Sequence, residues 1–162
     1  MKKVLWFAGA LGLFAATAVA EEPTVVSGKT AKEIIIYRRD GGNYTPAAAL
    51  PKGALSTVLY GVPLSTPSVI QVKVQPGYVI PWHHHPLDEL ITLIKGSVRI
   101  DVKGEKPRMI EVGGLMVMPS GQPHQATCVG KSECVLRLHP PGPWQVVYEN
   151  PLDDPRRTAK RR

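Results

Sequence analysis

The chain has 162 residues, 43% of them apolar and 20% charged, which gives a globular composition with room for one domain and too little for two well-formed cores. Its 16 Pro and 15 Gly favour short elements joined by frequent turns, and so a β-rich fold. The net charge of +7 does not mark a nucleic-acid binder: Lys2, Lys3, Arg156, Arg157, Lys160, Arg161 and Arg162 supply seven of the 20 basic residues, and the 13 that remain are matched by 13 acids.

Residues 1–20 read as a secretory signal peptide. Lys2 and Lys3 precede an uncharged apolar run, and Ala18-Val19-Ala20 puts small residues three and one before a cut ahead of Glu21. A retained membrane anchor is the rival reading, because the run reaches the short limit for spanning a bilayer. The small-residue site and the acidic pair Glu21-Glu22 serve no purpose in an anchor, so a mature protein beginning at Glu21, periplasmic or secreted, is expected. The leader holds no twin arginine and no cysteine stands at the cut to carry a lipid, so any metal is expected to be acquired after export.

Residues 21–32 are polar and read as a lead-in. Short apolar runs of period two follow over 33–37, 56–60, 69–74, 89–94, 98–102, 115–118, 134–138 and 145–148, most of them bounded by Gly, Pro or Asp turns. After the leader, no stretch of a dozen residues carries a helical apolar stripe free of Gly and Pro. The spacing predicts an all-β fold over 33–151, a single antiparallel sandwich or barrel, and residues 152–162 read as a basic, disordered tail.

The chemistry lies in two segments. In the first, Gly77 is followed by His83, His85, Glu89 and Gly96. On a strand His83 and His85 share one face and His84 takes the other, so the outer two imidazoles can grip one ion. After the Pro86-Leu87-Asp88 turn, Glu89 shares a face with Ile91 and Leu93; a carboxylate on so apolar a surface is costly unless a cation meets it. The second segment places Gly113, Pro119, Gly121 and His124 at spacings of six, two and three.

These two segments resemble the paired motifs of the cupin superfamily, and the resemblance implies a small jelly-roll β-barrel. Every position of the first motif is met; the second departs only at its last place, where such families often carry Asn and this chain has Cys128. By resemblance, His83, His85, Glu89 and His124 are the metal ligands, as against a degenerate barrel that binds none. His84 is expected to face solvent. His139 has the wrong parity to reach the ion.

Three imidazoles and one carboxylate suit one divalent transition metal, whether Mn, Fe, Co, Ni, Cu or Zn, and do not choose among them. Strand parity nominates Ile91, Leu93, Val98, Ile100, Val102, Met116 and Met118 for the barrel lining, with Trp82 beside the first ligand; core packing accounts for most of them. Cys128 and Cys134 are expected on adjacent strands across a short turn, facing the interior either as a disulfide or as two packed thiols.

Three functions stay open. One is a metalloenzyme acting on a small oxygenated anion, as an oxygenase, isomerase, lyase or decarboxylase. The others are a small-ligand binding or sensing barrel and a closed structural zinc site. The sequence offers no general base besides the ligands, which favours oxygenase or metal-enolate chemistry. The partner implied is a small molecule and not a nucleic acid. Contact of the basic tail with a membrane surface is the lesser reading of that segment, and a homodimer is left open.

Overall fold

The computed structural model describes residues 34–159, so the expectations for the leader and the lead-in lie outside the described residues. Eleven strands lie in that span. They are β1 (Thr45–Pro46), β2 (Leu55–Gly61), β3 (Ser68–Val74), β4 (Val79–His84), β5 (Glu89–Lys95) and β6 (Ser97–Val102), then β7 (Arg108–Ile110), β8 (Leu115–Met118), β9 (His124–Val129), β10 (Cys134–Leu138) and β11 (Val147–Tyr148). Among the described residues no helix is long and apolar enough to cross a membrane.

Two antiparallel sheets face each other. One runs β1-β2-β3-β10-β5-β8 and the other β11-β4-β9-β6-β7. From β3 onward the chain changes sheet at almost every connection, which is the jelly-roll path and the all-β fold that the sequence predicts. The inner faces alternate as a half-buried strand must: on β6, Val98, Ile100 and Val102 are buried between Ser97, Arg99 and Asp101, and on β9, His124, Ala126 and Cys128 are buried. Val98, Val102, Leu93 and Met118 belong to this core.

Three expectations change. The apolar stretch expected at 33–37 is not a strand where it is described: Ile34 and Ile36 lie in solvent, and Tyr37 is held by one hydrogen bond, from its Oη to the carbonyl of Leu59. The run at 145–148 shortens to Val147–Tyr148. The tail is ordered further than expected: Pro151–Asp153 forms a 3-10 turn capped by the Asn150 side chain, Arg156–Ala159 forms one helical turn, and Arg156 donates to the Val146 carbonyl at 2.7 Å.

The cysteines also sit differently. They are joined in a disulfide, but β9 and β10 are not neighbours: Cys128 belongs to the five-stranded sheet and Cys134 to the six-stranded one. The turn between them crosses from sheet to sheet instead of closing a hairpin, so the bond fastens the two layers together where two interior strands, β9 and β10, end and begin. Gly96 lets the β5–β6 turn pass beneath it. A Cβ there would stand 2.6 Å from the Glu133 carbonyl and 2.8 Å from Cys134 Sγ, at a φ of 86°.

Candidate metal centre

The expected ligands come from four places along the chain and meet between the sheets. His83 lies on β4 directly opposite His124 on β9, with ring centroids 4.3 Å apart. His85 follows the end of β4, and Glu89 opens β5. The bend between them is tied to the turn that precedes His124: Ser120 donates from its backbone to Asp88 Oδ1 at 2.8 Å and from its hydroxyl to the Pro86 carbonyl at 2.7 Å, and Gly121 N–H reaches the His85 carbonyl at 2.8 Å. The two motifs therefore brace each other at the site.

All four side chains are buried, each at most 4% exposed. Every histidine has its Nδ1 against a main-chain carbonyl: His83 on Pro81 at 2.7 Å, His85 on Gln145 at 2.5 Å and His124 on Gln122 at 2.9 Å. A carbonyl oxygen only accepts, so each Nδ1 carries the proton and, in the neutral ring, each Nε2 presents a lone pair. The three histidines offer ligand atoms within 4.8 Å of one another, and so can hold a metal ion.

Glu89 completes the geometry. Its Oε2 stands 3.2 Å from His85 Nε2 and 3.6 Å from His124 Nε2, yet His85 Nε2 is buried without a properly directed hydrogen bond. A lone pair aimed at a carboxylate needs a proton or a cation between them. Burial, reinforced by the charges of His124 and His85, pushes His83 down to about 3 and keeps it in the neutral form that binds metals. Burial also pushes His85 down, but the adjoining Glu89 carboxylate outweighs it and holds the imidazole above its ordinary value. For Glu89 burial acts upward and the imidazoles of His124 and His85 prevail, so its carboxyl is held well below the usual range and is anionic. This donor set of three imidazoles and one carboxylate fits a divalent transition ion.

The cavity at the four residues is small, about 30 Å³. Ile91, Ile100 and Met116 line it, as parity suggests; Leu93 and Met118 do not, being packed in the core beside it. Trp82 is not on the wall either. β4 shifts register by one residue between Ile80 and His83, so both of these face inward although they are an odd number of residues apart, and Trp82 is turned away. Pro81 lies in that stretch and has no N–H for the ladder. His84 takes the outer face and meets Glu149 Oε1 at 2.9 Å, and His139 lies outside the cavity lining, its amide on the Leu90 carbonyl.

Two wall residues outside the reach of strand parity come from loops. Trp144, in the proline-rich stretch after β10, stacks on His85 with centroids 6.0 Å apart and points its Nε1–H at Glu89 Oε1, 3.4 Å away. Leu50, in the loop before β2, closes another side. The signal for Trp144 is a large aromatic among three prolines and a glycine, a composition that orders only when the ring finds a surface to cover.

Residues 70–139 match the family model described as Cupin domain. The uncharacterized protein YdbB of Bacillus subtilis (strain 168) is 25% identical over 71 residues, covering 43% of this chain and 63% of that protein, so the match spans less than two thirds of the relative. The polyketide cyclase RemF from Streptomyces resistomycificus superposes with a TM-score of 0.61 at 17% identity, over 79% of this chain and 94% of that one. The cupin-2 domain Rru_A2000 from Rhodospirillum rubrum gives 0.58 at 16% identity, over 74% and 82%. At these identities the superpositions speak for the fold alone. The segment over 70–139 thus matches the Cupin domain, and the two-sheet jelly roll is the fold that these solved structures share.

Proposed function

We propose that the protein is an exported metal-dependent enzyme that acts on a small oxygen-bearing anion, with His83, His85, His124 and Glu89 as the ligands of one divalent transition ion. The observation that carries this reading is the convergence of three buried Nε2 atoms, each set by a carbonyl on Nδ1, around an anionic Glu89. Stability alone does not call for four polar groups in the centre of a core. Such an ion, when bound, supplies a Lewis acid that polarises an oxygen of the substrate and stabilises the negative charge that develops there.

The chain's own contributions are to position and to exclude water. Trp144 and Leu50 cover the cavity, and among its described lining residues only the four ligands titrate. This favours chemistry that needs no separate protein base, such as that of an oxygenase, isomerase, lyase or decarboxylase in which an ion held by the three histidines and Glu89 would supply the stabilisation of negative charge. The small cavity favours one rival, a closed zinc site in which four protein ligands fill a tetrahedron.

The test is metal content by mass spectrometry on protein recovered from its native compartment. About one equivalent of a transition ion is expected, falling to background in the double variant His83→Ala, His85→Ala. Full retention of metal in that variant would defeat the assignment. With cobalt as a spectroscopic stand-in, acetohydroxamate should change the absorption of an open site, whereas a closed site has no position to offer.

A further inference from the structure

The cavity at the histidines is too small for more than a water-sized group, so any larger substrate must extend from it in some direction. Toward the proline-rich stretch the space is closed: the opening there, beneath Pro140, Pro143 and Trp144, is about 10 Å³. A second groove, of about 510 Å³, shares two wall residues with the metal cavity, Ile100 and Met116.

The topology makes this groove. β7 is the last strand of the five-stranded sheet and β8 the last of the six-stranded one, and no ladder joins them. The sandwich is open along that seam. Its lining is part apolar and part polar: Met109, Met116 and Met118, every methionine after Met1, stand there with Ile110, Leu115 and Val117, and charged and amide side chains supply the rest. Met109, Leu115 and Val117 are each more than half exposed, although they sit on short edge strands, where polar side chains would be the usual protection. Methionine adapts its shape to an apolar occupant better than branched side chains do. The rim is polar, with Glu105 paired to Arg108. The volume falls within the range of small-molecule sites, which the metal cavity by itself does not reach.

We propose that the seam between β7 and β8 holds the body of the substrate, and that Met116 is the specificity-determining residue where the seam meets the metal cavity. The substrate class is then a small chelating head, such as a carboxylate, enol or vicinal oxygens, on an apolar tail. The head enters between Ile100 and Met116, and the tail lies along the methionines. This inference rests on the metal reading above, because the metal fixes which end of the substrate points inward.

The experiment uses cobalt-loaded protein titrated with alkyl hydroxamates from acetohydroxamate to octanohydroxamate, read by the change in cobalt absorption. The dissociation constant should fall about twofold or more with each added methylene, since full burial of a methylene corresponds to about fourfold. Met109→Glu, at a half-exposed position on the outer wall, should collapse the ratio of octano- to acetohydroxamate affinity toward one, and Met116→Trp should do the same by filling the passage. Should Met116→Trp fail to fold, Met109→Glu still decides. A flat chain-length series, or an undiminished ratio in Met109→Glu, would overturn the groove assignment while leaving the metal site standing. Failure of the wild type to take up cobalt would overturn the metal reading, and the groove with it.

Discussion

Tyr78, just before β4, and Tyr148, on the neighbouring β11, converge on one loop: Tyr78 Oη donates to the Pro51 carbonyl at 2.6 Å and Tyr148 Oη to the Ala49 carbonyl at 2.8 Å. The residue between those carbonyls is Leu50, which closes the metal cavity. The loop has no ladder of its own there, so the two phenols hold the cover in place.

Removing either hydroxyl leaves a carbonyl short of a donor. Tyr78→Phe and Tyr148→Phe should each lower stability by about 1 kcal/mol. Chemical denaturation measures this, and two variants indistinguishable from wild type would show that the loop is held by packing alone.

The same pair predicts alkaline lability. Burial raises the Tyr78 phenol to about 12, and raises Tyr148 as well, with the neighbouring Tyr78 adding to it. A folded-state value above the ordinary 10 means that the contribution is fully present below about pH 10, where neither state ionises, and is lost as pH climbs through about 12. Absorbance at 295 nm should show two tyrosines ionising late, together with unfolding; five tyrosines titrating together near pH 10 would contradict it.

Gly96 and Gly104 form a matched pair. Both have φ near 85°, but a side chain at 96 would strike the Glu133 carbonyl and Cys134 Sγ, while at 104 nothing stands within 4 Å. Gly104→Ala should cost about 1 kcal/mol, the backbone term alone. Gly96→Ala should cost at least about twice that, because main chain has to move. Equal losses in urea denaturation would refute the steric account.

Reduction of the disulfide, or its replacement by Cys128→Ala with Cys134→Ala, should destabilise the protein by about 2 kcal/mol, the loop-closure value for so short a loop. Calorimetry under reducing and oxidising conditions checks this. Because the bond joins the two sheets, the reduced protein should also exchange amide hydrogens faster in β9 and β10.

Much of the fold was legible, for a physical reason: alternation of apolar and polar residues is imposed locally by the pleat, and β8 and β10 begin and end where the pattern does. Parity also paired His83 with His85 and set His84 outside. Trp82, named only as the neighbour of His83, is turned away as parity requires; it is Ile80 that the register shift around Pro81 brings to the wall against an unbroken ladder. Parity missed Trp144 and Leu50 because loops carry no period. The cysteines show a different limit: six residues suffice to turn a hairpin or to cross between layers, and only the pairing of β10 with β3 and β5 decides which.

The three carbonyls behind the histidines have a consequence for how such a site varies over time. Pro81, Gln145 and Gln122 support the imidazoles through main-chain atoms, which every amino acid possesses. Substitution at these positions alters the support only if it moves the backbone. The ligand orientation is therefore inherited with the course of the chain, and a sequence could drift at all three positions while keeping its metal chemistry intact.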